Sequence, residues 1–460
     1  MENDSSRAAL LAALRALIVR EQPGVRLPTV RTLQRQHRVS PATVQAVTRE
    51  LAAAGLVEVR PGAGTFVAQR RIERSRDVGW QHLALGGPPP DAAVRALDLV
   101  SDPPTDTIRL SGGYLDEPIM PIRALSASFE RAARRPGAWG RPPVDGDVAL
   151  REWFARAIGG VAHDEVLITN GGQSALSIAI RTLTSPGQPI LIESPGYLAA
   201  ISIARTHGLQ IVPVPVDEHG LRTDLLDDAL LRTGARVVVV QPLFANPTGT
   251  TLSAARRAEL FDALERHSAF AIEDDVARHL SIDGPTPPTL MSEDKSGNII
   301  HICSLTKGIT PGMRVGALCA HGPVYLRLRA AKTLDDLCVA GPVQAAALDF
   351  LTSTAYPRHL RTIARELGRR RDTLIRELAA RLPNTQPVCI PRGGMHLWTR
   401  LPAGADPDAV GARALAAGVL VSSGVPWYPA EPDDPHLRLS YGCSDIEHIT
   451  EGVRRLASVV

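Results

Sequence analysis

Residues 303–314 read CSLTKGITPGMR, from Cys303 through Lys307 to Arg314, and they follow the apolar run Ile299-Ile300-His301-Ile302. Lysine is rare in this chain. Lys295, Lys307 and Lys332 are the only three among 51 basic residues. Lys295 lies in a polar turn (SEDKSG) and Lys332 in a helix-like run beside Asp335 and Asp336, both ordinary settings. Lys307 ends what reads as a buried strand. Arginine, with a pKa above about 12, cannot serve as a free amine. A lysine there can lose its proton and condense with an aldehyde.

Pyridoxal phosphate is the commonest biological aldehyde that needs such a lysine. Its phosphate calls for helix N-terminal N–H groups and a cation, its pyridine nitrogen for a carboxylate, its ring for an apolar or aromatic cover, and its 3′-oxygen for a donor. Candidates for each lie at the ends of strand-like runs. Thr169-Asn170-Gly171-Gly172-Gln173 opens a helix, offering the N–H groups of Gly172 and Gln173. Ser304 and Thr306 add hydroxyls, and Arg314 a cation. Phe270-Ala271-Ile272-Glu273-Asp274-Asp275 ends an apolar run in acids, where α/β sheets bind their ligands. One of Asp274 and Asp275 could equally be a helix cap. Tyr197 could cover the ring or be a core tyrosine, and Asn246, in an NPTG turn, places an amide at the same edge.

Outward from this site, strand-like runs at 166–169, 190–193, 210–214, 237–241, 270–273, 299–303 and 316–320 alternate with helical ones. This pattern predicts a mostly parallel sheet covered on both faces. A long helix over 341–382, broken near Ala355-Tyr356-Pro357, leads into a smaller α+β segment.

The first 76 residues hold thirteen arginines, no lysine and six acidic residues, a balance of +7. The other 384 residues balance at −4 within a chain of net charge +3. Such a basic module suits a polyanion, though on charge alone a solvated basic face reads equally well. Helices are expected at 6–20, 30–37 (capped by Thr29) and 41–54 (Ser40 cap, Pro41 in its first turn). A hairpin follows, Leu56–Arg60 and Thr65–Val67 around Pro61-Gly62-Ala63-Gly64, completing a winged helix-turn-helix. Thr43, Gln45 and Thr48 suit base edges or phosphates, with Arg31, Arg35, Arg38 and Arg60 beside the backbone. Residues 70–106, rich in arginine and then in glycine and proline, read as a linker with a short helix near 91–99.

The five cysteines are scattered without CxxC spacing, and the acidic start Met1-Glu2-Asn3-Asp4 is unlike a secretory leader. The chain is therefore expected to be cytoplasmic, with buried thiols and no metal.

Two resemblances join these readings. Residues 27–67, with Leu27-Pro28, Arg31, VSPATV, Ala54-Gly55-Leu56 and the wing RPGAGTFV, resemble the GntR-type winged helix. That resemblance implies DNA contacts from Arg31, Arg35, Ser40, Thr43, Gln45, Arg60 and Gly62. From 107 to 458 the series ITNGGQSAL, ESPGY, NPTG, IEDD, SLTKGITPGMR, PRGGMHLW and LRLSYG resembles the fold-type-I aminotransferases. On it Lys307 matches the lysine that carries pyridoxal phosphate as a Schiff base. Asp274 matches the partner of the pyridine nitrogen, Asn246 the donor to the 3′-oxygen, and Tyr197 the stacking ring. Gly172, Gln173, Ser304, Thr306 and Arg314 fall at the phosphate, and Arg438 at the arginine that grips a substrate carboxylate.

In this order the two modules resemble the MocR-type regulators. The resemblance implies a winged helix over 1–69, a linker over 70–106, and an α/β aminotransferase-like domain over 107–460 with a small α+β subdomain from about 345. It also implies a homodimer that binds double-stranded operator DNA and responds to pyridoxal phosphate, alone or with an amino-compound effector. A competent aminotransferase carrying a DNA-binding module, and a regulator without cofactor, are the other readings. One departure stands out: an aromatic residue often follows the acidic pair in this family, and here the position is Val276. The 3′-oxygen then relies more on Asn246.

Overall fold

The structure, a computed structural model, describes residues 2–68, 78–84, 104 and 106–460. It divides into two compact units, Met1–Pro88 and Pro89–Val460. The helix expected near 91–99 falls outside the described residues, as does most of the expected linker, of which a short helix Gly79–Ala84 is described.

In the first unit, helices α1 (Glu2–Arg20), α2 (Val30–His37) and α3 (Pro41–Ala53) precede strands β1 (Val57–Arg60) and β2 (Gly64–Val67). Local chemistry sets the boundaries. Thr29 caps α2 by accepting from the Thr32 N–H, and Ser40 caps α3 by accepting from the Thr43 N–H at 3.1 Å. The helix ends at Ala53, and Gly55 turns the chain at φ +66°. Leu10, Leu14, Leu33, Val44, Val47, Leu51, Val57 and Val67 close one core beneath three helices and the hairpin. The wing is broader than expected. The segment before α2 pairs with it, Leu27 N–H donating to Thr65 O and Val67 N–H to Val25 O, each at 2.8 Å.

The second unit is built on an eight-stranded sheet. Its strands are β3 (Val166–Thr169), β4 (Pro189–Ser194), β5 (Gln210–Asp217), β6 (Gly220–Leu221), β7 (Val237–Val240), β8 (Phe270–Asp274), β9 (Ile299–Ser304) and β10 (Gly316–Ala320). They lie in the order β3-β10-β9-β8-β7-β4-β5-β6. All seven expected strands are present. Parallel pairing runs from β9 to β5, but β10 is antiparallel to both neighbours, and β6 to β5. No crossover helix separates β9 from β10. The connection between them is the lysine loop itself, from Leu305 to Val315.

Alternation along the strands covers both faces. Leu191, Val238, Val240, Ala271, Cys303 and Ala317 enter one apolar cluster, and Ile190, Ile192, Val237, Val239, Ile272 and Ile302 the other. Helix α4 (Gly172–Leu183) packs on the second face and α5 (Leu198–Thr206) beside it.

The predicted long helix is two: α6 (Gly341–Leu351) and α7 (Ala355–Arg381). The break precedes Pro357, which sits in the first turn of α7, where a missing N–H costs nothing. A second core joins Leu367, Leu374 and Leu378 of α7 to Leu397 of strand β11 (His396–Arg400) and to Leu437 and Leu439 of β12 (His436–Ser440). It also takes in Ile108, Leu110 and Leu115 from before the large sheet, so the small subdomain draws on more than the C-terminal segment. Among the described residues no helix is long and apolar enough to cross a membrane. All five cysteines are free; Cys303 and Cys319 are buried, whereas Cys338, Cys389 and Cys443 are half-buried.

Candidate functional site

A cavity of about 480 Å³ opens at the carboxyl ends of the parallel strands, and Gly172, Gln173, Tyr197, Asn246, Ser304, Thr306, Lys307, Arg314 and Arg438 line it. Asp274 lines a smaller cavity of about 30 Å³ that Lys307, Asn246 and Tyr197 share. The structure thus brings together every residue expected at the cofactor.

One end is a cup for an anion. Helix α4 begins without a side-chain cap, and its N-cap Gly171 sits at φ +82°. A Cβ on Gly171 would lie 3.0 Å from the Arg314 guanidinium, so both the backbone angle and the space require glycine here. Arg314 donates to Asn170 O at 2.9 Å and reaches Thr306 Oγ1, while Ser304 donates to Thr306 at 2.9 Å. The cup is braced from behind. Asn170 Nδ2 donates to Asp336 at 2.6 Å, and Asp336 pairs with Lys332 Nζ at 2.7 Å. Lys332, read from sequence as ordinary, is fully buried.

Strand parity decides between the two acids. Asp274 stands opposite Ile302 in register and on the same face as Ile272, the face that carries α4. Glu273 and Asp275 point the other way. Asp275 pairs with Arg278 and begins no helix. Asp274 accepts from Gln241 Nε2 at 2.6 Å, and Gln241 Oε1 accepts the Asn246 N–H at 2.8 Å. Burial pushes the Asp274 carboxyl up to about 6, against the amide of Gln241 and the charge of Lys307. On the far face Glu273, Asp275 and His301 bring three ligand-type atoms within 4.8 Å of one another, a grouping not foreseen from sequence. Glu273 is engaged there by the Leu290 and Met291 N–H groups and by the His301 ring.

Lys307 Nζ donates to Gly113 O at 2.7 Å and lies 4.1 Å from the centroid of the Tyr114 ring. Burial, with the charges of Arg438 and Arg314 adding to it and Asp274 opposing, brings its ammonium down to about 8. A Cβ on Gly113 would come within 3.3 Å of that nitrogen.

Arg438 is no surface ion pair. It is 3% exposed, and among the described residues it pairs with no carboxylate. One guanidinium nitrogen donates to Asn246 Oδ1 at 3.1 Å and another to Ser111 O. The guanidinium sits 4.3 Å from the Trp427 ring centroid, and its Nε has no hydrogen-bond partner among the described residues. Burial lowers its pKa to about 10. Tyr197 donates to Gln173 Oε1 at 3.3 Å, tying the expected ring cover to the cup. Val276 lines the smaller cavity beside Ala277, with no aromatic ring at either position.

Sequence reasoning missed Gln241, Tyr114, Trp427 and Lys332. Only Gln241 left a trace, as a polar residue ending the run Val237–Val240. The others reach the site through folding.

On the first unit Arg31, Arg35, Ser40, Gln45, Arg60 and Gly62 are exposed and Thr43 is half-buried. Thr43 shares a hydrogen bond of 2.8 Å with Ser40, and Thr48 donates to Val44 O, so Thr48 is spent within its helix. Arg60 pairs with Glu58 at 2.9 Å and lies over Phe66 at 4.6 Å. Gly62 turns the wing tip at φ +74°.

Residues 106–456 match the family model of class I and II aminotransferases, and residues 7–67 that of the bacterial regulatory proteins of the gntR family. An uncharacterized HTH-type transcriptional regulator of Bacillus subtilis, YdfD, is 28% identical over 95% of this chain and 92% of its own. The 2-aminoadipate transaminase of Thermus thermophilus is 30% identical over 76% of this chain and 89% of its own. Among solved structures, the α-aminoadipate aminotransferase LysN from Thermus thermophilus, complexed with N-(5′-phosphopyridoxyl)-L-leucine, superposes with a TM-score of 0.75 at 28% identity. That superposition covers 83% of this chain and 97% of LysN.

Proposed function

Because the chain belongs to the class I and II aminotransferase family and carries a gntR-family module in front of it, we propose that it is a MocR-type transcriptional regulator. It binds double-stranded DNA through the winged helix and reads pyridoxal phosphate through the large unit, alone or with an amino-compound effector. It works in the cytoplasm as a homodimer whose arrangement, and so whose DNA affinity, shifts with what the large unit binds.

One observation carries the reading. A low-pKa amine, Lys307, and a buried guanidinium that pairs with no acid among the described residues, Arg438, line one cavity that ends at an uncapped helix N-terminus backed by Arg314. These residues fit pyridoxal phosphate. When bound it supplies an aldehyde that amines can condense with and an electron-withdrawing ring. Lys307 provides the nucleophilic amine, which burial keeps partly unprotonated near neutral pH. Asp274 holds a proton at the ring nitrogen, and Gln241 keeps that carboxylate oriented. Gly172 and Gln173, with Ser304, Thr306 and Arg314, hold the phosphate, and Tyr197 covers the ring and excludes water. Arg438 grips the carboxylate of an amino compound in a bidentate fork.

The reading is tested by purified protein. It predicts visible absorbance that survives dialysis and is absent in Lys307→Ala, and salt-sensitive binding to its own promoter region that changes with pyridoxal phosphate. A wild-type protein without that band would defeat it. The same residues would also suit a competent aminotransferase, and steady turnover of an amino acid with a keto acid would favour that reading instead.

A further inference from the structure

Strand β11 carries a residue that none of the roles above uses. His396 is 9% exposed, and its Nδ1 is buried without a hydrogen-bond partner among the described residues. Its neighbour Leu397 belongs to the small core, so alternation sends His396 to the opposite face of the sheet, the face from which Arg438 points. There it lines the 30 Å³ cavity together with Asn246, Asp274, Lys307 and Val276. Leaving a buried ring nitrogen unpaired forfeits its hydration without return, so such a group in a folded protein usually meets a ligand or a water.

The wall around it narrows the choice. Leu243, Phe244, Leu280 and Met395 are apolar; of the neutral polar side chains there, Gln241 is taken up by Asp274 and the Asn246 N–H, which leaves the Asn246 amide facing the same space. Of the wall's aromatic residues, Phe244 has no hydroxyl and Tyr197 gives its own to Gln173, while Val276 and Ala277 occupy the positions after the acidic pair. The charged groups around His396 are Lys307, Arg438 and Asp274. Burial, reinforced by those two cations, holds the imidazole well below its ordinary pKa, so it is neutral and has a single N–H to give.

We propose that His396 is a cofactor-contacting residue whose Nδ1–H donates to the 3′-oxygen of the pyridoxal phosphate ring, sharing that oxygen with Asn246 and standing in for the absent aromatic hydroxyl. The inference rests on the cofactor reading above. It assigns the small cavity to the oxygen-bearing edge of the ring, and it gives the unpaired nitrogen its partner.

The test compares wild type, His396→Phe and His396→Gln as full-length, cofactor-loaded proteins, reading the pH midpoint of the visible band without any added amine. Phenylalanine keeps the aromatic volume and removes the donor, whereas glutamine restores an N–H. A neutral hydrogen bond to the ring oxygen stabilises its anionic form, so His396→Phe should move the midpoint upward by about half a unit to one unit. His396→Gln should recover most of that shift. An unchanged midpoint in a loaded His396→Phe overturns the inference. Equal shifts in both variants also overturn it, because packing then explains them. A variant altered only in its response to added amino acids overturns it too, placing the nitrogen at an effector carboxylate. Should His396→Phe fail to fold, nitrogen-15 spectra of wild type decide. The His396 Nδ1 resonance, assigned by its loss in His396→Gln, must move on addition of pyridoxal phosphate, and a resonance that stays put refutes the contact. A wild type with no band at all removes the cofactor reading itself, an outcome distinct from all of these.

Discussion

Gln241 donates its side-chain amide to Asp274 at 2.6 Å and accepts the backbone N–H of Asn246 at 2.8 Å. One residue therefore sets both the acid expected at the ring nitrogen and the turn that carries the amide expected at the ring oxygen. Its own N–H donates to Glu193 at 3.0 Å, a carboxyl that burial pushes up to about 8. Gln241→Leu removes a hydrogen bond that lowers the Asp274 pKa, so that pKa should climb further above 6. An unsatisfied buried carboxyl costs about 1–3 kcal/mol, and cofactor affinity should fall about tenfold or more. Titration with pyridoxal phosphate measures it.

The amine of Lys307 titrates near 8, so the rate of cofactor capture should rise by about tenfold per pH unit below that value and level off above it. Arg438 contributes to the depression. Arg438→Met should therefore move the midpoint to higher pH as well as weaken carboxylate effectors. Stopped-flow absorbance between pH 6 and 10, a range of about four units around the midpoint, reads both effects.

His301 and Glu273 form a buried pair at 2.7 Å behind the site. Burial opposes the charged ring, but Glu273 raises the His301 pKa from 6.5 to about 10. That contribution to stability is complete below 6.5 and is lost as pH rises through about 10. Burial likewise opposes the Glu273 carboxylate, yet the charge of His301 leaves its pKa lowered, so its share is present above 4.5 and is lost as pH falls through the depressed value. His301→Ala strands a buried carboxylate and should cost about 3 kcal/mol. In urea unfolding, the advantage of wild type over the variant should narrow steadily between pH 6.5 and about 10.

On the first unit, Arg31→Ala should weaken DNA binding across sequences and reduce the salt dependence by about one phosphate contact. Gln45→Ala should instead relax base preference with little change in salt dependence. Ser40→Ala removes the cap of α3 and should destabilise the unit by about 1 kcal/mol. Mobility shifts at several salt concentrations and thermal unfolding separate the three. The visible band should be unaffected in all of them.

Much of this was legible in the residues because the relevant signals are local. Thr29, Ser40 and Pro41 cap and start their helices through atoms two or three positions away, so the boundaries of α2 and α3 could be read directly. The seven strands showed as apolar runs because a sheet covered on both faces buries most of its side chains, with the strand Gln210–Asp217 the more open exception. Lys307 was recognisable because its chemistry excludes arginine, the chain's usual cation.

The sequence by itself determined the two modules, seven strands of the large sheet, the amine and the candidates around it, since these follow from residue type, period and spacing. Tertiary structure supplied the physical reason why Asp274, the acid the resemblance pointed to, faces the site and Asp275 does not: β8 pairs with β9 in a register that puts Asp274 with Ile302. It decided that Arg438 lies buried with no acid partner among the described residues, that Lys332 braces the start of α4 through Asp336 and Asn170, and that Tyr114 and Gly113 lie against Lys307. It also showed CSLTKGITPGMR as the link between antiparallel strands, with Ser304 opposite Gly316. These are pairings between residues as far apart as 113 and 307, and no local pattern records a partner that only chain folding brings near.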